Sequence, residues 1–87
     1  MAGRYRVQLS FKAQRQLDAL PKQDKKRIDA RLLALGDNPR PHGVKKLQGK
    51  QGRYRIRVGN YRAIYSIHDA VLLVLVLEIV NRRDVYR

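Results

Sequence analysis

The chain has no cysteine and no tryptophan, one methionine and one phenylalanine, and seven acidic residues among 87. Without cysteine there is no disulfide framework, no thiolate metal site and no cysteine nucleophile. A small basic domain without such staples fits a reducing compartment. Long apolar runs are also missing. The longest, Ala70 to Leu77, is far short of the ~20 residues needed to span a bilayer. Met1-Ala2-Gly3-Arg4-Tyr5-Arg6 turns polar at once and carries no signal-peptide core. The expectation is a soluble, cytoplasmic protein with no membrane partner.

At this length residues 1–87 are expected to form a single domain. Such a chain buries only roughly 60% of its unfolded surface, which leaves little room for a deep, dry cofactor cavity. An apolar fraction of 44% nevertheless suffices for a folded core. What the chain has in excess is positive charge: 20 Lys and Arg give a formal +13. A field of that size attracts polyanions, with nucleic acid ahead of anionic membrane or an acidic protein. The charge is unevenly mixed. Lys12 to Arg31 interleaves cations with Asp18, Asp24 and Asp29, as a solvated helix face does. Lys45, Lys46, Lys50, Arg53, Arg55, Arg57 and Arg62 form a stretch with no acid at all, which calls for an external anion.

Hydrophobic periodicity orders the elements. Tyr5 to Leu9 alternates as a strand, and Ser10 is placed to cap a helix beginning at Phe11. Ala13, Leu17 and Leu20 recur at helical spacing up to Pro21, as do Ile28, Leu32 and Leu35 in a second helix, with Gly36 as its expected left-handed cap. Arg53 to Val58 alternates strictly, with Tyr54, Ile56 and Val58 on one side and Arg53, Arg55 and Arg57 on the other. Gly59-Asn60 makes a tight turn into a strand from Tyr61 to Ile67, and His68-Asp69 makes another turn. Val71 to Val80 reads as a central strand covered on both faces. The result is an α+β fold in the order β-α-α-β-β-β: an antiparallel sheet with an N-terminal helical hairpin packed on one face.

Phosphate-cradling loops, dinucleotide fingerprints and His-Glu metal spacings are absent from the sequence. His42 and His68 fall in expected loops, so a paired-histidine ribonuclease requires the fold to bring them together. The remaining constellation is cationic and aromatic. Arg55 and Arg57 share a sheet face, Arg62 follows across a tight turn, and Arg82, Arg83 and Tyr86 follow the last strand. Guanidinium forks match phosphate oxygens and stay charged at every relevant pH. Such a row serves either as a plain nucleic-acid-binding face or as an electrostatic stabiliser of phosphodiester cleavage. Tyr54, Tyr61 and Tyr65 alternate away from the arginines and are expected to pack in the core or at its edge.

Three segments together resemble the RelE/ParE superfamily of bacterial and archaeal toxins. They are Lys46-Leu47-Gln48-Gly49, then Gly52-Arg53-Tyr54-Arg55-Ile56-Arg57-Val58-Gly59-Asn60-Tyr61-Arg62-Ala63-Ile64-Tyr65, then Asn81-Arg82-Arg83-Asp84-Val85-Tyr86. The resemblance implies a microbial RNase-like fold and an antitoxin partner that wraps the toxin. For RelE-type members it implies entry into the ribosomal A site and cleavage of bound mRNA, with no metal or other cofactor. ParE-type members share the fold and poison DNA gyrase. By position, the resemblance implies catalytic roles for Arg55, Arg57, Arg62, Arg82 and Tyr86. Lys45, Lys46, Lys50, Arg53 and Arg83 are then expected to contact RNA or the ribosome. Arg55 and Arg57 stand where the best-known members have lysines, and Asn81 where many carry histidine. The arginines make a general-base role weaker, because arginine does not readily lose its proton.

Overall fold

The computed structural model describes residues 4–49 and 52–81. Strand β1 (Arg6–Leu9) stops at Ser10, whose extended backbone (φ −64°, ψ 162°) turns the chain into helix α1 (Phe11–Asp18). The Ser10 hydroxyl oxygen accepts from the Ala13 N–H at 3.0 Å, satisfying one of the orphan donors of the helix start. Pro21 separates α1 from α2 (Lys22–Asp37), as the sequence predicts. Gly36 differs from expectation: the helix runs through it to Asp37 and is capped by Asn38, so Gly36 is not a left-handed cap. Buried inside the helix, Gly36 instead presents its carbonyl to the Tyr5 N–H at 2.9 Å, tying α2 to the start of β1.

After α2 come β2 (Lys45–Lys46), β3 (Arg53–Val58), β4 (Tyr61–His68), a short 3-10 turn (Asp69–Val71) and β5 (Leu73–Asn81). The two-residue β2 is too short to show any periodicity, and the sequence does not predict it. The sheet order is β1-β5-β4-β3-β2. The α+β class and helical hairpin are as expected, but the sheet is mixed rather than wholly antiparallel, because β1 lies parallel to β5 from Arg6↔Leu73 to Leu9↔Val76. The hairpin carries the chain from one sheet edge to the other, and the meander β2 to β5 then returns to β1. Setting β5 inside the sheet places the most apolar strand between two neighbours, β1 and β4.

The helices cover one sheet face. Ala13, Leu17, Ile28, Leu32 and Leu35 pack there against Ile56, Val58, Ala63, Tyr65, Val74, Val76 and Ile79. Strand β5 is therefore central, but helices cover it on one side only, contrary to expectation; Leu73, Leu75 and Val80 on its other side are half-buried. It also outruns β1, and side chains of Ser10 and α1 take over the exposed edge. The Ser10 hydroxyl donates to the Leu77 carbonyl at 2.9 Å, and Gln16 Oε1 accepts from the Ile79 N–H at 2.7 Å. An unpaired, part-buried N–H costs about 1–3 kcal/mol. Gln16→Ala is thus expected to destabilise the fold by that amount in urea denaturation; an unchanged midpoint would refute the edge-capping role.

At the opposite end of β5 a second set of contacts gathers the loops. Tyr65, fully buried, donates its hydroxyl to the Pro39 carbonyl at 2.8 Å and stacks on Tyr54 at 5.9 Å. Burial pushes the Tyr65 phenol up to about 12. Arg40 lies over the Tyr54 ring at 5.5 Å and forks onto Asp69 at 2.9 and 3.2 Å, and Tyr5 donates its hydroxyl to the same carboxylate. Hydrogen bonds from Arg40 first, then from Tyr5, hold the Asp69 carboxyl down to about 2. A folded-state pKa below the unfolded value stabilises at higher pH and is lost on acidification. This contribution is therefore complete above about pH 4 and fades as pH falls toward 2. Between about pH 5 and pH 2, Asp69→Asn is expected to show a shallower fall in melting temperature than the parent. Equal slopes would refute the assignment.

Candidate nucleic-acid interface

The β3–β4 ladder builds the site. Its register runs from Arg53↔Ser66 through Arg55↔Ile64 and Arg57↔Arg62 to Val58↔Tyr61, closed by Gly59 at a positive φ of 58°. Opposed residues share a face. Tyr54, Ile56, Val58, Tyr61, Ala63 and Tyr65 therefore face the helices, and Arg53, Arg55, Arg57 and Arg62 face away from them. The tyrosines fall on the packing side as expected; Tyr61 donates its hydroxyl to Asp24 at 3.1 Å.

On the face away from the helices, the pairing is unusual. Arg57 stands directly opposite Arg62, and Lys45 of β2 directly opposite Arg55. Like charges set opposite one another in a sheet are destabilising. Two such pairs sit two residues apart along β3, and Glu78 is the single acidic side chain in the five strands. Glu78 is opposite Ile64, one row from Arg62, and is engaged by Lys12 at 3.1 Å. Arg62 is only 6% exposed, so its charge is held within the protein rather than left waving in solvent. Among the described residues no buried side-chain nitrogen or oxygen lacks a hydrogen-bond partner.

These cations surround an open pocket of about 290 Å³ lined by Gly43, Lys45, Arg55, Arg57 and Arg62. It is too small for a folded partner and large enough for a phosphate with part of a nucleotide. Four cations converging on one concavity focus a positive field that attracts anions. Of the residues expected to carry function, the fold thus brings together Arg55, Arg57, Arg62 and Lys45, with Arg53 on the same face. Lys46 is opposite Tyr54 and so belongs to the other face. Lys50, Arg82, Arg83 and Tyr86 lie outside the described residues. His42 and His68 do not line the pocket; His68 Nε2 is 2.9 Å from the Ser66 hydroxyl. Gly43 is an addition to the expected set, because a loop glycine gives no sequence signal for the wall of a pocket built by distant strands.

A helical hairpin on a five-stranded mixed sheet, with a cationic pocket on the opposite face, defines a small α+β fold with one strongly basic face. Comparison with known proteins identifies it. The model of the ParE toxin of type II toxin-antitoxin systems matches residues 7–86. The chain belongs to this family, within the RelE/ParE toxin superfamily. The crystal structure of an archaeal RelE–RelB complex from Pyrococcus horikoshii contains a similar chain: 31% identity, TM-score 0.81, covering 91% of this chain and 96% of that one. The RelBE2 toxin–antitoxin complex from Mycobacterium tuberculosis follows at 26% identity and TM-score 0.80, covering 94% and 95%. The isolated RelE toxin of E. coli shares the fold, with 23% identity, TM-score 0.78, and 94% and 90% covered. No curated protein sequence matches. Among the described residues no helix is long and apolar enough to cross a membrane.

Proposed function

We propose that this chain is a ribosome-dependent endoribonuclease that cleaves mRNA in the A site and so arrests translation. The observation that carries this reading is that four cations, Arg57 opposite Arg62 and Lys45 opposite Arg55 in the sheet register, line one pocket. Like charges gathered on one sheet face favour an anion between them. In the reaction the RNA 2′-hydroxyl attacks phosphorus and the bond to the 5′-oxygen breaks, leaving a 2′,3′-cyclic phosphate and a 5′-hydroxyl. Negative charge develops on the nonbridging and leaving oxygens. Arg57 and Arg62 are positioned to hold the former, and Arg55 and Lys45 the adjoining backbone. Arg82 and Tyr86 complete the proposed catalytic set, Tyr86 by stacking on a base or assisting the nucleophile, while Lys46, Lys50, Arg53 and Arg83 extend the ribosome contacts.

The partner that restrains this activity is a cognate antitoxin, supported by the toxin–antitoxin complexes among the similar structures. An acidic segment of it lying over Arg55, Arg57 and Arg62 would neutralise the +13 chain where like charges stand opposite one another in the sheet.

The ParE family match supports a second reading, a DNA gyrase poison without nuclease activity; a third is a ribosome-binding relative that does not cleave. Induction in growing cells with pulse labelling separates them. The nuclease stops protein synthesis first, with new mRNA ends and intact DNA. DNA breaks with intact mRNA would replace it by the gyrase poison, and arrested synthesis without new ends by the silent relative.

A further inference from the structure

We propose that the Arg40–Asp69 ion pair is a positioning device for the cationic pocket: it fixes the loop between α2 and β2 so that Gly43 and Lys45 stand on the pocket wall. The inference rests on the reading of that pocket as an RNA site.

Strand β2 is two residues long, and its ladder with β3 consists of Lys45↔Arg55 and Lys46↔Tyr54 alone. An edge strand so short holds its place weakly. The wall it supplies therefore depends on the loop before it. That loop is fixed from within and from without. The Arg40 N–H donates to Asn38 Oδ1 at 3.1 Å, and the Val44 N–H to the Pro41 carbonyl at 3.2 Å. Pro41 restricts Arg40 before it to extended conformations, and Pro39 fixes its own φ and restricts Asn38 in the same way. The long-range anchors are Tyr65, which binds the Pro39 carbonyl at 2.8 Å, and Asp69, which takes the Arg40 fork at 2.9 and 3.2 Å. Stacking over Tyr54 orients the guanidinium, and the Tyr5 hydroxyl orients the carboxylate. One ion pair thus joins the loop to the β4–β5 connection, three residues before Gly43.

A lone exposed ion pair contributes little to stability. The bidentate fork, the ring beneath it and the second donor on Asp69 give this one a defined geometry. Arg40 also has a plainer reading as one more RNA-binding cation. The two readings predict opposite signs for Asp69→Asn. That change raises the formal +13 charge by one and releases Arg40, so long-range electrostatics alone strengthens RNA binding. Loss of positioning weakens it.

The experiment measures binding of a short single-stranded RNA to the full chain by fluorescence anisotropy, with circular-dichroism melts to verify folding. The expected result for Asp69→Asn is a Kd raised on the order of tenfold, about the cost of losing one charge-assisted hydrogen bond from a displaced Lys45 to phosphate. In ribosome-dependent cleavage the same variant raises KM and leaves kcat near the parental value. The reciprocal variant, Arg40→Asp with Asp69→Arg, restores the pair in reverse and recovers binding toward the parent. Parental or tighter binding by a folded Asp69→Asn overturns the positioning role alone, as does a folded reciprocal variant with no recovery. A parent that binds no RNA overturns the reading of the pocket and this inference with it.

Discussion

Arg62→Ala is expected to keep the fold and to lower ribosome-dependent mRNA cleavage by on the order of 10²- to 10³-fold, the usual cost of removing one donor that stabilises a developing oxyanion. Among the described residues Arg62 is the cation the protein encloses, at 6% exposure, and it stands opposite Arg57 in the ladder. A guanidinium that is already desolvated and held in place needs little reorganisation as charge grows on the phosphate. Removing it also takes away one member of a like-charge register pair, which offsets part of the packing lost with its stem. The melting temperature is therefore expected to move far less than the activity does. Arg62→Lys keeps the charge without the planar fork and is expected to fall between the two. Single-turnover cleavage rates beside thermal melts test this. A folded Arg62→Ala that cleaves at the parental rate would remove Arg62 from the site.

The largest expected stability effect lies on the other side of the sheet. Leu32, 2% exposed, is packed between α2 and the strands. Leu32→Ala should cost about 2–5 kcal/mol through lost burial and the cavity left behind. A chain of 87 residues is expected to have a total stability of about 4–13 kcal/mol. The melting temperature should then drop by at least about 8 °C. The neighbouring Leu33, 71% exposed, provides the control: Leu33→Ala is expected to stay within about 0.5 kcal/mol. Equal losses at the two positions would mean that α2 packs on a different face.

Leu32 is also legible in the sequence, because Ile28, Leu32 and Leu35 repeat at helical spacing. The alternation of β3 likewise separates its arginines from Tyr54, Ile56 and Val58, and local chemistry places the Ser10 cap and the Gly59-Asn60 turn. Pairing across long sequence separation is not legible. Nothing near Arg6 reveals that its neighbour is Leu73, 67 positions on, so the parallel β1–β5 pair has no sequence signal. Gly36 misleads because a glycine before Asn38-Pro39 has the local signature of a left-handed cap, whereas a tertiary contact with Tyr5 keeps it helical. For the site, Arg55, Arg57 and Arg62 follow from strand period and turn position. Gly43 and the anchoring of its loop by Arg40 and Asp69 do not, since they depend on which loops meet at one end of the sheet.

The role proposed for the paired cations is cleavage of ribosome-bound mRNA. The most direct measurement is 5′-end mapping of a defined mRNA in a purified translation system, with and without the protein. New ends are expected within ribosome-occupied codons, lost when ribosomes are omitted and lost with Arg62→Ala. Intact mRNA in the presence of active ribosomes and folded protein would contradict that role.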